Sequence, residues 1–328
     1  YFFLVYFHLS HKYNKIKLGI FVRMRQIAII LLKGILRLLG FLPLKVHYAL
    51  SGFLAFLASD VLHYRRHVVD INLARSFPDK EYGELKQIRR QFYRHFGEVL
   101  AEAVWFGGCL DHRRLQKQRI AVIDNPEELA RLYNVSPSVI ILTSHTGNWE
   151  LTGGLTFYSY DKAVPEFNEG NVKVVYRRLS SKVWDKVMND NRIAPLTDKA
   201  HFDGYLESSE VLRYAISHKD EKNFYIMITD QYPYEIASGM KVNDFMHQKT
   251  VSIGGGAHLA HKYGYSVVYL GMRSESRGHY SIHLETVCDD ARTMSVREIM
   301  DRYYELLQRD IEAQPWNYLW THKRWKKI

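Results

Sequence analysis

Residues 138–150 read SVIILTSHTGNWE, and the reading of this stretch decides the fold. Ile140, Ile141 and Leu142 run without a charge into a polar turn. A short apolar run bounded by turn residues suits a strand covered on both faces, and such strands belong to mostly parallel sheets. In an open α/β sheet, reactive groups collect in the loops beyond the carboxyl ends of the strands. His145 occupies that position, Gly147 and Asn148 permit a tight turn, and Glu150 is expected in the first turn of the next helix. Five residues across such a turn can return the Glu150 carboxylate to the His145 imidazole. A carboxylate on one ring nitrogen fixes the tautomer and leaves the other nitrogen free as a base. The bland alternative is a histidine at a helix start with Glu150 complementing the helix dipole.

Outward from this stretch, β-rich runs alternate with amphipathic ones. VKVVYR (172–177), FYIMIT (224–229), YSVVYL (265–270) and YSIHLETV (280–287) read as strands. Stretches near 182–193, 205–218, 254–263 and 295–313 read as helices, as does 81–106 after the start signal Pro78-Asp79. The expected architecture is α/β, a mostly parallel sheet flanked by helices. Arg177 ends one strand, and Asp230 with Gln231 ends another, so these groups can reach the same sheet edge as His145. IGGGAHLAHKYG (253–264) looks like a phosphate-cradling loop without the lysine and serine that would complete one, and reads mainly as a helix start. His258 and His261 share a helix face without the HExxH pattern, so no metal is expected. The two cysteines, Cys109 and Cys288, have no CxxC spacing, which argues against a thiolate metal site or a disulfide scaffold. No GxSxG elbow or nucleophilic cysteine accompanies His145, so a covalent intermediate is not indicated.

The first sixty residues are apolar and aromatic. Leu18 to Leu44 is too rich in charge for a membrane span, since Arg23, Arg25, Lys33 and Arg37 interrupt it. At 100° per residue, Arg23, Gln26, Lys33 and Arg37 fall in one wedge, the pattern of a helix lying in a membrane interface. That wedge is expected to face headgroups, with Ile27, Ile30, Leu31 and Leu38 among acyl chains. Pro43 ends the segment, and Val46 to Ser59 is a second charge-free stretch that can pack against the first. Residues 1–63 are read as a membrane-associated helical region and 64–328 as the α/β domain. The formal net charge of +10 suits an anionic partner: nucleic acid, an acidic protein or an acidic membrane. The tail PWNYLWTHKRWKK (315–327) fits nucleic acid, a membrane interface or an ordered cap equally well.

Taken in order, these residues resemble the late acyltransferases of lipid A biosynthesis. His145 and Glu150 match the family's His-x4-Asp/Glu motif, which glycerolipid acyltransferases share. YRRHVVDINLARSFPD (64–79), VVYRRLSSKVWD (174–185), ITDQ (228–231) and PWNYLWTHKRWK (315–326) are similar to its other segments, so the resemblance covers nearly the whole chain. Two departures stand out: Arg178 where many members have proline, and Asp244-Phe245-Met246 in place of Phe-Phe-Gly. The resemblance implies a glycerolipid-acyltransferase-like fold at the cytoplasmic face of a bacterial inner membrane. It implies transfer of an acyl chain from acyl carrier protein to a lipid A precursor, with His145 and Glu150 catalytic. It also implies Arg177, Asp230, Asn148 and Gln231 at the substrates, an anionic inner-leaflet surface as partner, and no cofactor, metal or nucleic acid. The rival readings are a glycerolipid, lysophospholipid or phosphatidylinositol-mannoside acyltransferase, and a non-catalytic membrane-binding protein.

Overall fold

The computed structural model describes residues 23–233 and 239–326. Residues 18–22 of the expected first helix lie outside the described residues. The described helices are α1 (Arg23–Gly40), α2 (Leu44–Phe56), α3 (Arg66–Ser76), α4 (Tyr82–Gly107), α5 (Arg113–Gln118), α6 (Glu127–Val135), α7 (Lys182–Arg192), α8 (Val211–Ser217), α9 (Gly255–Tyr263) and α10 (Val296–Ala313). The strands are β1 (Ala121–Ile123), β2 (Val139–Thr143), β3 (Val172–Tyr176), β4 (Tyr205–Glu207), β5 (Phe224–Ile228), β6 (Gly239–Phe245), β7 (Gln248–Ile253), β8 (Ser266–Ser276) and β9 (His279–Cys288).

Seven strands form one sheet in the order β1-β9-β8-β2-β5-β3-β4. Strands β8, β2, β5, β3 and β4 run parallel, and only the β8–β9 hairpin turns back. β2 lies centrally, and all five of its residues are buried. Its side chains divide between two cores: Ile140 and Leu142 pack toward α9 and α10, Val139 and Ile141 toward Trp105 and Phe106 of α4. A run without polar alternation is what such a two-faced position demands. The sheet is therefore α/β and mostly parallel, as the alternating pattern indicates.

The local signals are physical. Glu84 accepts the backbone N–H of Glu81 and caps α4, while Ser295 and Glu298 exchange hydrogen bonds at the start of α10. Two expectations shift. Only Val211–Ser217 of the 205–218 stretch is helical, because Tyr205–Glu207 pairs with Val174–Tyr176 as an edge strand. Three residues are too few to show a period. The hairpin β6–β7 was likewise not legible. After the turn, Trp149–Phe157 forms a 3-10 helix rather than an α-helix. Gly153 and Gly154 disfavour a regular helix there, and a Cβ on Gly153 would come within 2.2 Å of the Arg192 carbonyl.

No single described helix is long and apolar enough to cross a membrane; α1 and Leu44–Val61 reach that length and composition only as a pair bent by 115°. α2 packs on α4, where Gly97 lets the Ser51 carbonyl approach. The outward face of α1 is apolar, with Ile30 68% and Leu38 71% exposed. The basic wedge does not act as one face, however. Lys33 is ion-paired with Asp190 of α7, because that side of α1 meets the α/β body.

The tail is structural. Trp320 is wholly buried against Phe77 and Tyr318, its indole N–H donating to the Pro315 carbonyl. Asn72 of α3 donates to the carbonyls of Trp320 and His322, and Arg65 to that of Thr321. This is the ordered-cap reading. Trp320→Ala should therefore cost about 3–5 kcal/mol, the usual range for emptying a buried aromatic site. Urea denaturation measures it, and a cost under about 1 kcal/mol would show that the tail is peripheral.

Candidate active site

β2 and β5 pair with Thr143 opposite Ile228, so residues two beyond each end arrive side by side. Those residues are His145 and Asp230. The His145 Nδ1 lies 2.8 Å from Asp230 Oδ1, and its Nε2 lies 3.0 Å from Gln231 Nε2. A carboxylate accepts, so Nδ1–H donates to Asp230 and the Nε2 lone pair accepts the Gln231 amide N–H. Asp230 is 2% exposed. Burial alone would raise its pKa, but the interaction with the His145 ring and the hydrogen bonds from that residue outweigh this and hold it below the ordinary carboxylate value.

This corrects the expected dyad. The carboxylate on the His145 ring is Asp230; Glu150 instead forms a two-pronged pair with Arg192 of α7 at 3.0 and 3.1 Å. Glu150 also accepts the Trp149 indole N–H at 3.2 Å. The 3-10 path after Asn148 directs Glu150 toward α7, whereas sheet register supplies Asp230. Asn148 lies beneath the turn. It is wholly buried, its Nδ2 donating to Glu102 at 2.8 Å and its Oδ1 accepting the Glu150 N–H. It shapes the turn and does not line the cavity.

The turn is held from all sides. Gly147 has φ +60, and a Cβ there would sit 2.5 Å from Met272 Cγ, so glycine is required twice over. Its N–H donates to the Asn317 carbonyl and side chain, both at 3.1 Å. His95, its pKa lowered to about 4 by burial, meets the Gly147 carbonyl at 3.1 Å. Leu319 donates to the His145 carbonyl, and Thr146 pairs with Tyr318. The tail thus forms the floor under the histidine.

His145, Gln231 and Arg177 open onto one cavity of about 810 Å³ between the ends of β3, β4 and β5 and the first turns of α8 and α9. Arg178, Arg192, His258 and Lys262 line it as well, and no Asp or Glu is among its described lining residues. Val175, Val211, Leu212, Met227 and Leu259 supply apolar wall. His261 points to the Ala291 and Met294 carbonyls, so it does not converge with His258. Among the described residues, no cluster of three His, Cys, Asp or Glu could hold a metal ion.

Arg192 and Glu102 escaped the sequence reading. Arg192 lies 42 positions from Glu150, with no period to tie them. Glu102 was visible as a carboxylate within the apolar run VLAEAVWF (99–106). It is wholly buried and accepts from Tyr48 at 2.7 Å, Asn148 at 2.8 Å and Tyr280 at 2.7 Å. Burial pushes its pKa up to about 7, although all three hydrogen bonds act the other way.

A family model described as bacterial lipid A biosynthesis acyltransferase matches residues 19–327, nearly the whole chain. No curated protein matches at a significant level.

The Glu102 shift has a signed consequence. A carboxyl whose pKa is raised on folding binds more protons in the folded state, so its contribution is complete below the unfolded value and is lost as pH rises to about 7. Stability measured by urea at pH 4.5 and 8 should fall more in the wild type than in Glu102→Gln, by an amount on the order of 3 kcal/mol. A wild type that gains on the variant as pH rises would reverse the assignment.

Proposed function

The chain belongs to the bacterial lipid A biosynthesis acyltransferase family, and on that premise we propose the finer chemistry: it moves a fatty acyl chain from acyl carrier protein to a hydroxyl of a lipid A precursor, with His145 as general base. The observation that carries this reading is the oriented His145 ring, with Nδ1–H given to a buried carboxylate, opening on a cavity lined by cations and apolar side chains. An anionic amphiphile suits such walls.

In the proposed step, the acceptor hydroxyl takes the place of the Gln231 amide at Nε2. His145 removes its proton, the oxygen attacks the thioester carbonyl carbon, and a C–O bond replaces the C–S bond. The thiolate leaves and takes up the proton from the imidazolium, which Asp230 stabilises meanwhile. Arg177 and Arg192, both at the cavity wall, are suited to a phosphate or to the charge developing on the carbonyl oxygen. Glu150 acts through Arg192. No cofactor enters the scheme.

The bent N-terminal pair is compatible with membrane association. We assign residues 1–63 as the part that rests on the anionic cytoplasmic face of the inner membrane, with Ile27, Ile30, Leu31 and Leu38 in the acyl region. Each basic residue near such a surface adds about 1 kcal/mol to apolar burial.

Purified His145→Ala should retain its fold and lose activity by roughly 10²–10⁴-fold. Asp230→Asn should lose more than Glu150→Gln, since an amide orients a ring without stabilising its charge. Near-wild-type turnover by His145→Ala would sink the mechanism, and an unaffected Asp230→Asn beside a dead Glu150→Gln would return the orienting role to Glu150. The donor has its own test. A basic protein should meet acidic acyl carrier protein by steered association, so initial rates should drop as salt rises and exceed those with the coenzyme A thioester. A preference for coenzyme A would exclude acyl carrier protein as the donor.

A further inference from the structure

Two consecutive residues hold the two nitrogens of the His145 ring, Asp230 at Nδ1 and Gln231 at Nε2. The two grips differ in kind. Asp230 is buried, and the Trp149 indole packs edge-on against the imidazole with 5.2 Å between ring centroids, so the ring itself has little freedom to turn. Gln231 is half-buried at the cavity wall, and among the described residues its side chain makes no other hydrogen bond. A glutamine held at its tip by one neutral bond can leave by side-chain rotation alone.

What the amide covers is the lone pair that a general base needs. Because the Asp230 carboxylate accepts the Nδ1 proton, Nε2 carries no hydrogen, and the amide N–H points at it from 3.0 Å. A base whose lone pair is already taken cannot draw a proton from water. A neutral hydrogen bond of ordinary net strength closes it about two- to tenfold.

Building on the acyltransferase reading, we propose that Gln231 is a specificity-determining residue that selects the acceptor hydroxyl over water: its amide closes the His145 lone pair while the donor waits, and yields to a bound acceptor. The acceptor displaces the amide because the rest of its molecule, resting on the cations and apolar walls of the cavity, supplies binding energy at the reacting end. Water brings none. In the reaction that Gln231 suppresses, a water oxygen attacks the thioester carbonyl carbon as His145 takes its proton. A C–O bond replaces the C–S bond, and the thiolate leaves and takes up the proton, giving a free fatty acid and a thiol.

The test uses the purified full chain with an acyl carrier protein thioester and no acceptor, thiol release being followed over time. Gln231→Met keeps the length of the side chain and removes its donor, and Gln231→Ala removes both; thermal melts check that each folds. Acceptor-free hydrolysis should rise about two- to tenfold in both variants, and the rise should vanish when His145→Ala is added. Diethyl pyrocarbonate, which acylates an imidazole through its free lone pair, gives a reading that needs neither donor nor acceptor. Mass spectrometry should find His145 modified faster in both variants by a similar factor. With a lipid A precursor present, the ratio of hydrolysis to transfer should rise as well. In an active enzyme, unchanged hydrolysis would overturn the proposal, as would a rise that survives His145→Ala. A joint fall of hydrolysis and transfer would make Gln231 a donor to the developing oxyanion and overturn it too. A wild type inert toward the thioester, with or without the precursor, would overturn the acyltransferase reading instead, and the modification rates would still decide whether Gln231 closes the base.

Discussion

The hydrogen bond between His145 and Asp230 is the contact on which the rest of the site depends, and it exists only because two parallel strands are in one register. Neither residue could reach the other through local chain geometry, since 85 positions separate them. The sheet must first form with Thr143 opposite Ile228. A one-residue slip in a strand sends every side chain to the other face. Here it would also part the imidazole from its carboxylate, leaving an ionised group buried without its main partner. The cost of an unpaired buried charge is large enough to make correct register and correct site geometry the same requirement.

Around the turn, three carboxylates have separate occupations, and each is settled by what it faces. Asp230 faces an imidazole N–H and stays below its ordinary pKa despite burial. Glu150 faces the Arg192 guanidinium, a planar fork that matches a carboxylate with two parallel bonds. Glu102 faces only neutral donors, two hydroxyls and an amide, and burial dominates. Similar acids therefore serve as a ring partner, as a cation holder and as a titrating post. Sequence spacing alone cannot sort them, because the difference lies in partners brought by the fold.

What was legible follows from what local chain chemistry encodes. The strands β2, β3, β5, β8 and β9 were visible because buried strands carry apolar runs long enough to recognise, and α10 because its capping box and period agree. β1 and β4, at three residues each, carry no such signal. His145, Arg177 and Gln231 were read as strand-end residues, and the parallel sheet brings all three to one cavity. The assignment of Glu150 to the ring failed because it assumed an α-helix where Gly153 and Gly154 permit a tighter path. Lys33 failed in the same way: a wedge on a helical wheel says which residues share a side, not what that side meets.

The N-terminal helices and the turn that carries His145 are mechanically joined, and Glu102 is the joint. Tyr48 sits on α2, whose Val46, Leu50, Phe53 and Leu54 are exposed, yet its hydroxyl reaches inward to Glu102 Oε1. The other oxygen of the same carboxylate holds Asn148, and Asn148 holds the N–H of Glu150. Two side chains thus separate an exposed apolar helix from the residue that follows the turn. Removing α2 from α4 would take one of three donors from a buried carboxylate, and a buried acceptor that loses a partner costs more than the bond contributed. That asymmetry ties the turn to α2 more firmly than apolar packing alone, since packing can slide by fractions of an ångström while a hydrogen bond inside a dry core cannot.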